Sequence, residues 1–118
     1  MALKLSVKNV NGVTVVYCSG RIVFGEEAAD LRERVKEMLA TVHQIVLNLG
    51  GVSYIDSGGL GTLVGLYTSA RAGGGEIKLA NLTQRVRDQL QITKLVTVFE
   101  VFDSEEKAIS SFAEQATA

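Results

Sequence analysis

Gln44-Ile45-Val46-Leu47-Asn48-Leu49-Gly50-Gly51-Val52-Ser53-Tyr54-Ile55-Asp56-Ser57-Gly58-Gly59-Leu60-Gly61 is the part of the chain from which the architecture is read. Its first six residues are a short, nearly continuous apolar run, as expected of a strand covered on both faces. Gly50 to Ile55 reads as a connection into a helix that opens at Asp56-Ser57. Leu60, Leu63, Val64 and Tyr67 then recur on one helical face. Gly73-Gly74-Gly75 is a natural stop for that helix.

Toward the N-terminus, Leu3, Leu5 and Val7 alternate with Lys4, Ser6 and Lys8, the pattern of a half-buried strand. Asn11-Gly12 tolerates the positive φ angles of a hairpin turn, and Val13 to Cys18 is a β-branched partner strand that Ser19-Gly20 should break. From Glu26 to Val42 the period changes: Ala28, Leu31, Val35, Met38, Leu39 and Val42 fall at helical spacing. Toward the C-terminus, Glu76 to Leu79 reads as a strand, Thr83 to about Gln91 as a short helix burying Val86 and Leu90, and Val98 to Phe102 as a last strand. Asp103-Ser104-Glu105-Glu106 carries a capping-box signature before a helix that buries Ala108, Ile109 and Phe112. Strands alternating with helices after a hairpin predict an α/β fold: a mixed sheet, an N-terminal hairpin and about four α-helices, with right-handed crossovers. The whole span 1–118 is expected to be one domain.

Composition narrows the function. With 12 basic and 13 acidic residues the net charge is −1, which argues against general nucleic-acid binding. Cys18 is the only cysteine, so neither an internal disulfide nor a cysteine-based zinc site can form. No apolar run approaches the roughly 20 residues that span a bilayer, and the start lacks the apolar core of a signal peptide. A cytoplasmic protein with no direct membrane insertion, no cofactor and no metal is the expectation.

The chemistry-bearing segment is Asp56-Ser57-Gly58-Gly59-Leu60-Gly61. A helix start gathers free backbone N–H groups and the positive dipole end. Serine is a favoured N-cap, and about 1 kcal/mol of capping stability explains Ser57 without any function. The glycines ask for more. Each costs roughly 0.8–1 kcal/mol against alanine in a helix, so Gly58, Gly59 and Gly61 together suggest that something comes close to this backbone. A phosphate on Ser57 suits a helix N-terminus and adds about −1.5 to −2 charges beside Asp56, which penalises a partner docked there. The segment therefore makes physical sense as an on/off interaction point.

On these residues the chain resembles the STAS domain family, specifically the bacterial anti-sigma factor antagonists. The resemblance runs through Val52 to Gly65, Ser19-Gly20, Ile45 to Leu49, Gly74 to Leu82 and Gln91 to Leu95, and so covers most of the chain. It implies that Ser57 is the phosphorylated serine and Asp56 the acidic residue beside it. The implied partner is an anti-sigma factor with serine kinase activity, which binds the ATP itself; a serine phosphatase reverses the modification. Arg21, Ile22, Val23, Phe24, Asp56, Ser57, Gly58, Gly59 and Leu60 are the implied partner-binding residues. Two positions depart from the family's pattern. Gly58 stands where many members carry Ser or Thr, and Val23 where an acidic residue is frequent. The departure puts Ile22, Val23 and Phe24 at a hydrophobic rim, or else in the core as a continuation of the strand.

The alternative implied by the family is a STAS subunit of a stress-signalling or membrane lipid-transport complex, not itself phosphorylated. An enzyme using Ser57 as nucleophile fails for want of a general base: His43, the only histidine, reads as a boundary residue. Cys18 reads as a small buried hydrophobe. Arg71, Arg85, Arg87 and Lys94 read as an ordinary solvated helix surface.

Overall fold

The computed structural model describes residues 3–117, with side chains up to residue 113. Strands β1 (Leu3–Val10) and β2 (Val13–Ile22) form the expected hairpin, with Leu3 opposite Gly20 and Val10 opposite Val13. Asn11 (φ 54) and Gly12 (φ 82) make the turn. Strands β3 (Gln44–Ile55), β4 (Glu76–Ala80) and β5 (Val101–Phe102) then add in parallel, so the five strands lie in the order β1-β2-β3-β4-β5. The parallel part always advances in one direction. Right-handed crossovers then place α1 (Glu26–Leu39), α2 (Ser57–Ala72) and α3 (Gln84–Ile92) on a common face. The last helix, α4 (Glu105–Thr117), returns to cover the other.

The two-residue period of the strands divides the core accordingly. Val16, Cys18, Ile45, Leu47 and Leu49 pack with Leu31 and Val35 of α1, Leu63 and Leu66 of α2, and Val86 and Leu90 of α3. Val13, Val15 and Val46 face the other way, onto Ala108 and Phe112 of α4. Polar groups pin α4 to this second face. The Glu105 carboxylate accepts from the Tyr17 hydroxyl (2.9 Å) and from Asn48 Nδ2 (3.1 Å). The buried Lys78 ammonium donates to Ser111 Oγ at 2.7 Å, pairs with Glu100 at 3.2 Å and lies 4.2 Å from the Phe112 ring centre.

Four boundaries differ from the sequence reading. Ser19-Gly20 does not end β2: Gly20 takes φ 119 at an irregularity in the β2–β3 register, and pairing resumes from Arg21–Tyr54 to Ile22–Ile55. Gly50 to Ile55 is likewise strand, not connection, because the extended β2 supplies its ladder partners. The run Val98 to Phe102 gives only a two-residue strand. A 3₁₀ turn at Leu95–Thr97 precedes it, and Phe99 is drawn into the core against Tyr67, edge to face with ring centres 5.4 Å apart. Helix α1 stops at Leu39, although Val42 still packs on the core. At α4 the cap is Ser104, which accepts from Lys107 N at 3.1 Å, so the third helical residue is a lysine and no reciprocal glutamate bond closes the box.

Candidate functional site

The site is built where the ends of β2 and β3 meet the start of α2. Asp56 carries it. Its carboxylate accepts from Gly59 N at 2.8 Å, capping α2, and from Phe24 N at 3.1 Å, tying the β2–α1 connection to the same point. Burial raises its pKa, but the N–H groups of Gly59, Phe24 and Gly58 donate to it and prevail, so the carboxyl lies below its ordinary value. The capping role that the sequence offered to Ser57 thus belongs to Asp56. Ser57 is the first residue of α2 and exposed, and its hydroxyl makes no hydrogen bond among the described residues.

The glycines have separate reasons. A methyl group at Gly59 would overlap the Ile22 carbonyl oxygen, and one at Gly58 would lie 2.5 Å from Phe24 Cβ. Both allow the end of β2 to cross directly over the helix start. The Ser or Thr that the resemblance leads one to expect at position 58 would need Phe24 to move. Gly61 and Gly65 face open space instead. They floor a groove of about 510 Å³ between α1 and α2, bordered by Phe24, Ala28 and Arg32. Sequence reasoning missed this groove; the i, i+4 spacing of Gly61 and Gly65 was its signal.

The expected partner-binding residues divide by exposure. Phe24 is 82% exposed, Arg21 and Ser57 are exposed, and Val23, Asp56 and Gly58 are half-buried. Ile22, Gly59 and Leu60 are buried. Ile22 is a correction to the rim reading: β2 continues through it, and strand alternation turns its side chain into the core. Phe24 stands on the surface because the chain has left the strand by then.

The secondary candidates are inert or dispersed. Burial pushes the Cys18 thiol up to about 12, which suits a core hydrophobe. His43 is exposed at the α1–β3 boundary. Arg71 pairs with Glu76 at 3.4 Å and Arg87 approaches Asp103 at 3.8 Å, whereas Arg85 leans over Tyr54 with its guanidinium 5.2 Å from the ring centre. The described residues hold no group of acidic, histidine and cysteine side chains fit for a metal, and no helix among them is long and apolar enough to cross a membrane.

The description "STAS domain" matches residues 4–108. The anti-sigma F factor antagonist of Paenibacillus polymyxa is 26% identical over 113 residues, covering 93% of this chain and 95% of that one. Among solved structures, an anti-sigma factor antagonist from Mycobacterium paratuberculosis superposes with a TM-score of 0.80 at 22% identity, over 92% of both chains. The Bacillus cell fate determinant SpoIIAA in its phosphorylated form gives 0.71 at 21% identity, over 92% of this chain and 99% of that one. With the family match over most of its length the chain belongs to the STAS domain family, and curated relatives such as the Paenibacillus polymyxa protein are named anti-sigma factor antagonists.

Proposed function

We propose that the chain is a non-catalytic, phosphorylation-switched module that binds an anti-sigma factor with serine kinase activity and so frees a sigma factor. One observation carries this reading. Asp56 takes over the cap of α2, and Ser57 is left exposed with its hydroxyl free at the positive end of the helix. The exposed Phe24 beside Gly58 supplies an apolar anchor of the kind that interfaces bury at their centre. Phosphate placed on Ser57 meets the helix dipole favourably within the chain, but sets about −1.5 to −2 further charges against any surface docked over Phe24. Attachment then ends until a phosphatase removes the group. The relative SpoIIAA, solved in a phosphorylated form, supports the same use of the fold.

The test is incubation with an anti-sigma factor kinase and ATP, followed by mass mapping of the modified residue. Phosphate is expected on Ser57. Ser57→Ala is expected to bind that partner like the unmodified chain and to stay bound in the presence of ATP. Ser57→Asp is expected to weaken binding about tenfold or more, as like charges do at an interface. Phosphate on another residue, or equal affinity of wild type, Ser57→Asp and phosphorylated chain, would overturn the reading. A chain that binds no anti-sigma factor but assembles with a membrane complex would favour the unphosphorylated STAS-subunit role.

A further inference from the structure

We propose that Arg21 and Arg85, both held over the Tyr54 ring, form a docking point for an acidic segment of the protein that binds at Ser57. The inference rests on the binding role proposed above and adds the chemistry of the partner. Arg21 reaches Tyr54 from β2, its guanidinium 5.4 Å from the ring centre, and Arg85 reaches it from α3 at 5.2 Å. Both distances lie within cation–π range. Two cations held at one ring put a local positive charge on this part of the surface, which an anionic segment complements.

Among the described residues none supplies such an anion. Neither guanidinium has an ion pair or a hydrogen bond among the described residues, in contrast to Arg71 with Glu76 and Arg87 with Asp103. Two nearby carboxylates are committed elsewhere. Asp56 accepts from Gly59 N and Phe24 N, and Asp88, three residues along α3 from Arg85, accepts from Gln84 Nε2 at 2.7 Å. The place is also open. β3 pairs with β4 only as far as Asn48 and continues to Ile55, and α3 takes up the vacated edge through Thr83 Oγ1 to Val52 O (2.9 Å). Gly51 and Ser53 on this overhang, Ser19 and Arg21 on β2 beside it, and Arg85 on α3 are exposed.

The sign of the switch agrees. Ser57 is three residues beyond Tyr54, and a phosphate there adds about −1.5 to −2 charges. That charge repels an acidic segment docked beside it and would attract a basic one. In a chain of net charge −1, a nucleic acid is a poorer match for this small basic point than the carboxylates of a protein.

The experiment has two arms. In the first, the isotope-labelled full chain is titrated with hexaglutamate, hexalysine and hexathymidylate and followed by NMR. Saturable shifts at Arg21, Tyr54 and Arg85 are expected with hexaglutamate, absent with hexalysine and lost in the Arg21→Gln/Arg85→Gln double variant. In the second, association of the anti-sigma factor kinase is timed over a range of salt. The double variant is expected to associate about tenfold more slowly at low salt, with a flatter salt dependence. Tyr54→Phe keeps the ring and is expected to behave like wild type, whereas Tyr54→Leu follows the double variant. Unchanged association in the double variant overturns the inference, as does hexathymidylate shifting the same signals at lower concentration than hexaglutamate. If the kinase does not bind even the wild type, the proposed function falls and the peptide arm alone decides the docking point.

Discussion

Asp56 does with one carboxylate what the sequence distributes over two residues. It caps α2 through Gly59 N and holds Phe24 N of the β2–α1 connection, which frees Ser57 for the surface. Asp56→Ala is expected to lose about 0.5–2 kcal/mol of stability, the range of a lost N-cap, as read from urea unfolding at pH 7. The native carboxyl titrates below its unfolded value, so its stabilisation is complete above that value, about pH 3.9, and disappears as pH falls through the lower folded one. Wild type should therefore lose part of its advantage over Asp56→Asn on acidification below about pH 4, measured by unfolding both at pH 7 and pH 3. A difference that stays constant with pH would show that the charge contributes nothing. The Asp-Ser pair and its helix start were legible in the sequence. Which of the two side chains caps was not, because that depends on where Phe24 N lies across 32 residues of chain.

At the scale of the element, α2 is a helix that carries glycine where helices do not favour it. Gly58 and Gly59 are explained within the chain by the crossing of β2. Gly61 and Gly65 are not: nothing lies within 4 Å of a methyl group placed on either. Alanine at each is expected to stabilise the chain by about 0.5–1 kcal/mol in thermal or urea unfolding. The same methyl groups would raise the floor of the α1–α2 groove, so a loss of partner binding by the more stable double variant would identify that groove as part of the interface. Destabilisation by either alanine would contradict the open space observed. The helices were readable from apolar spacing, with Leu31 and Val35, Leu63, and Val86 and Leu90 all buried as expected. The glycine breaks in β2 and β3 misled because a glycine in a strand can mark an irregularity as easily as an end.

For the whole molecule, the asymmetry of the two sheet faces matters most. Three crossover helices seal one face, while the other depends on α4, anchored at its first residue by Glu105 to Tyr17 and Asn48. Burial raises the Tyr17 pKa, and the hydrogen bond and charge of Glu105 raise it further. Glu105→Ala is expected to cost about 1 kcal/mol, the net worth of a hydrogen bond between partly buried groups, to bring the Tyr17 titration back toward the ordinary phenol value, and to speed amide exchange in α4. Unchanged Tyr17 titration with unchanged exchange would show that the apolar contacts of Ala108 and Phe112 and the Lys78–Ser111 bond hold α4 without Glu105. The anchor itself was not legible in the sequence: Tyr17 and Glu105 are 88 residues apart, and no local period links them.

From the sequence alone come the order of the elements, the mixed α/β class, most of the core and the position of Ser57 at the head of a helix, since all of these follow from local periodicity and short-range turn and cap chemistry. Only the tertiary structure decides that β2 and β3 run on together past their glycines, that Ile22 is core while Phe24 is surface, that Asp56 rather than Ser57 caps, and that Arg21 and Arg85 meet at Tyr54. Each of these depends on the approach of segments far apart in the chain. Local propensity carries no information about that approach until strand pairing has set the register.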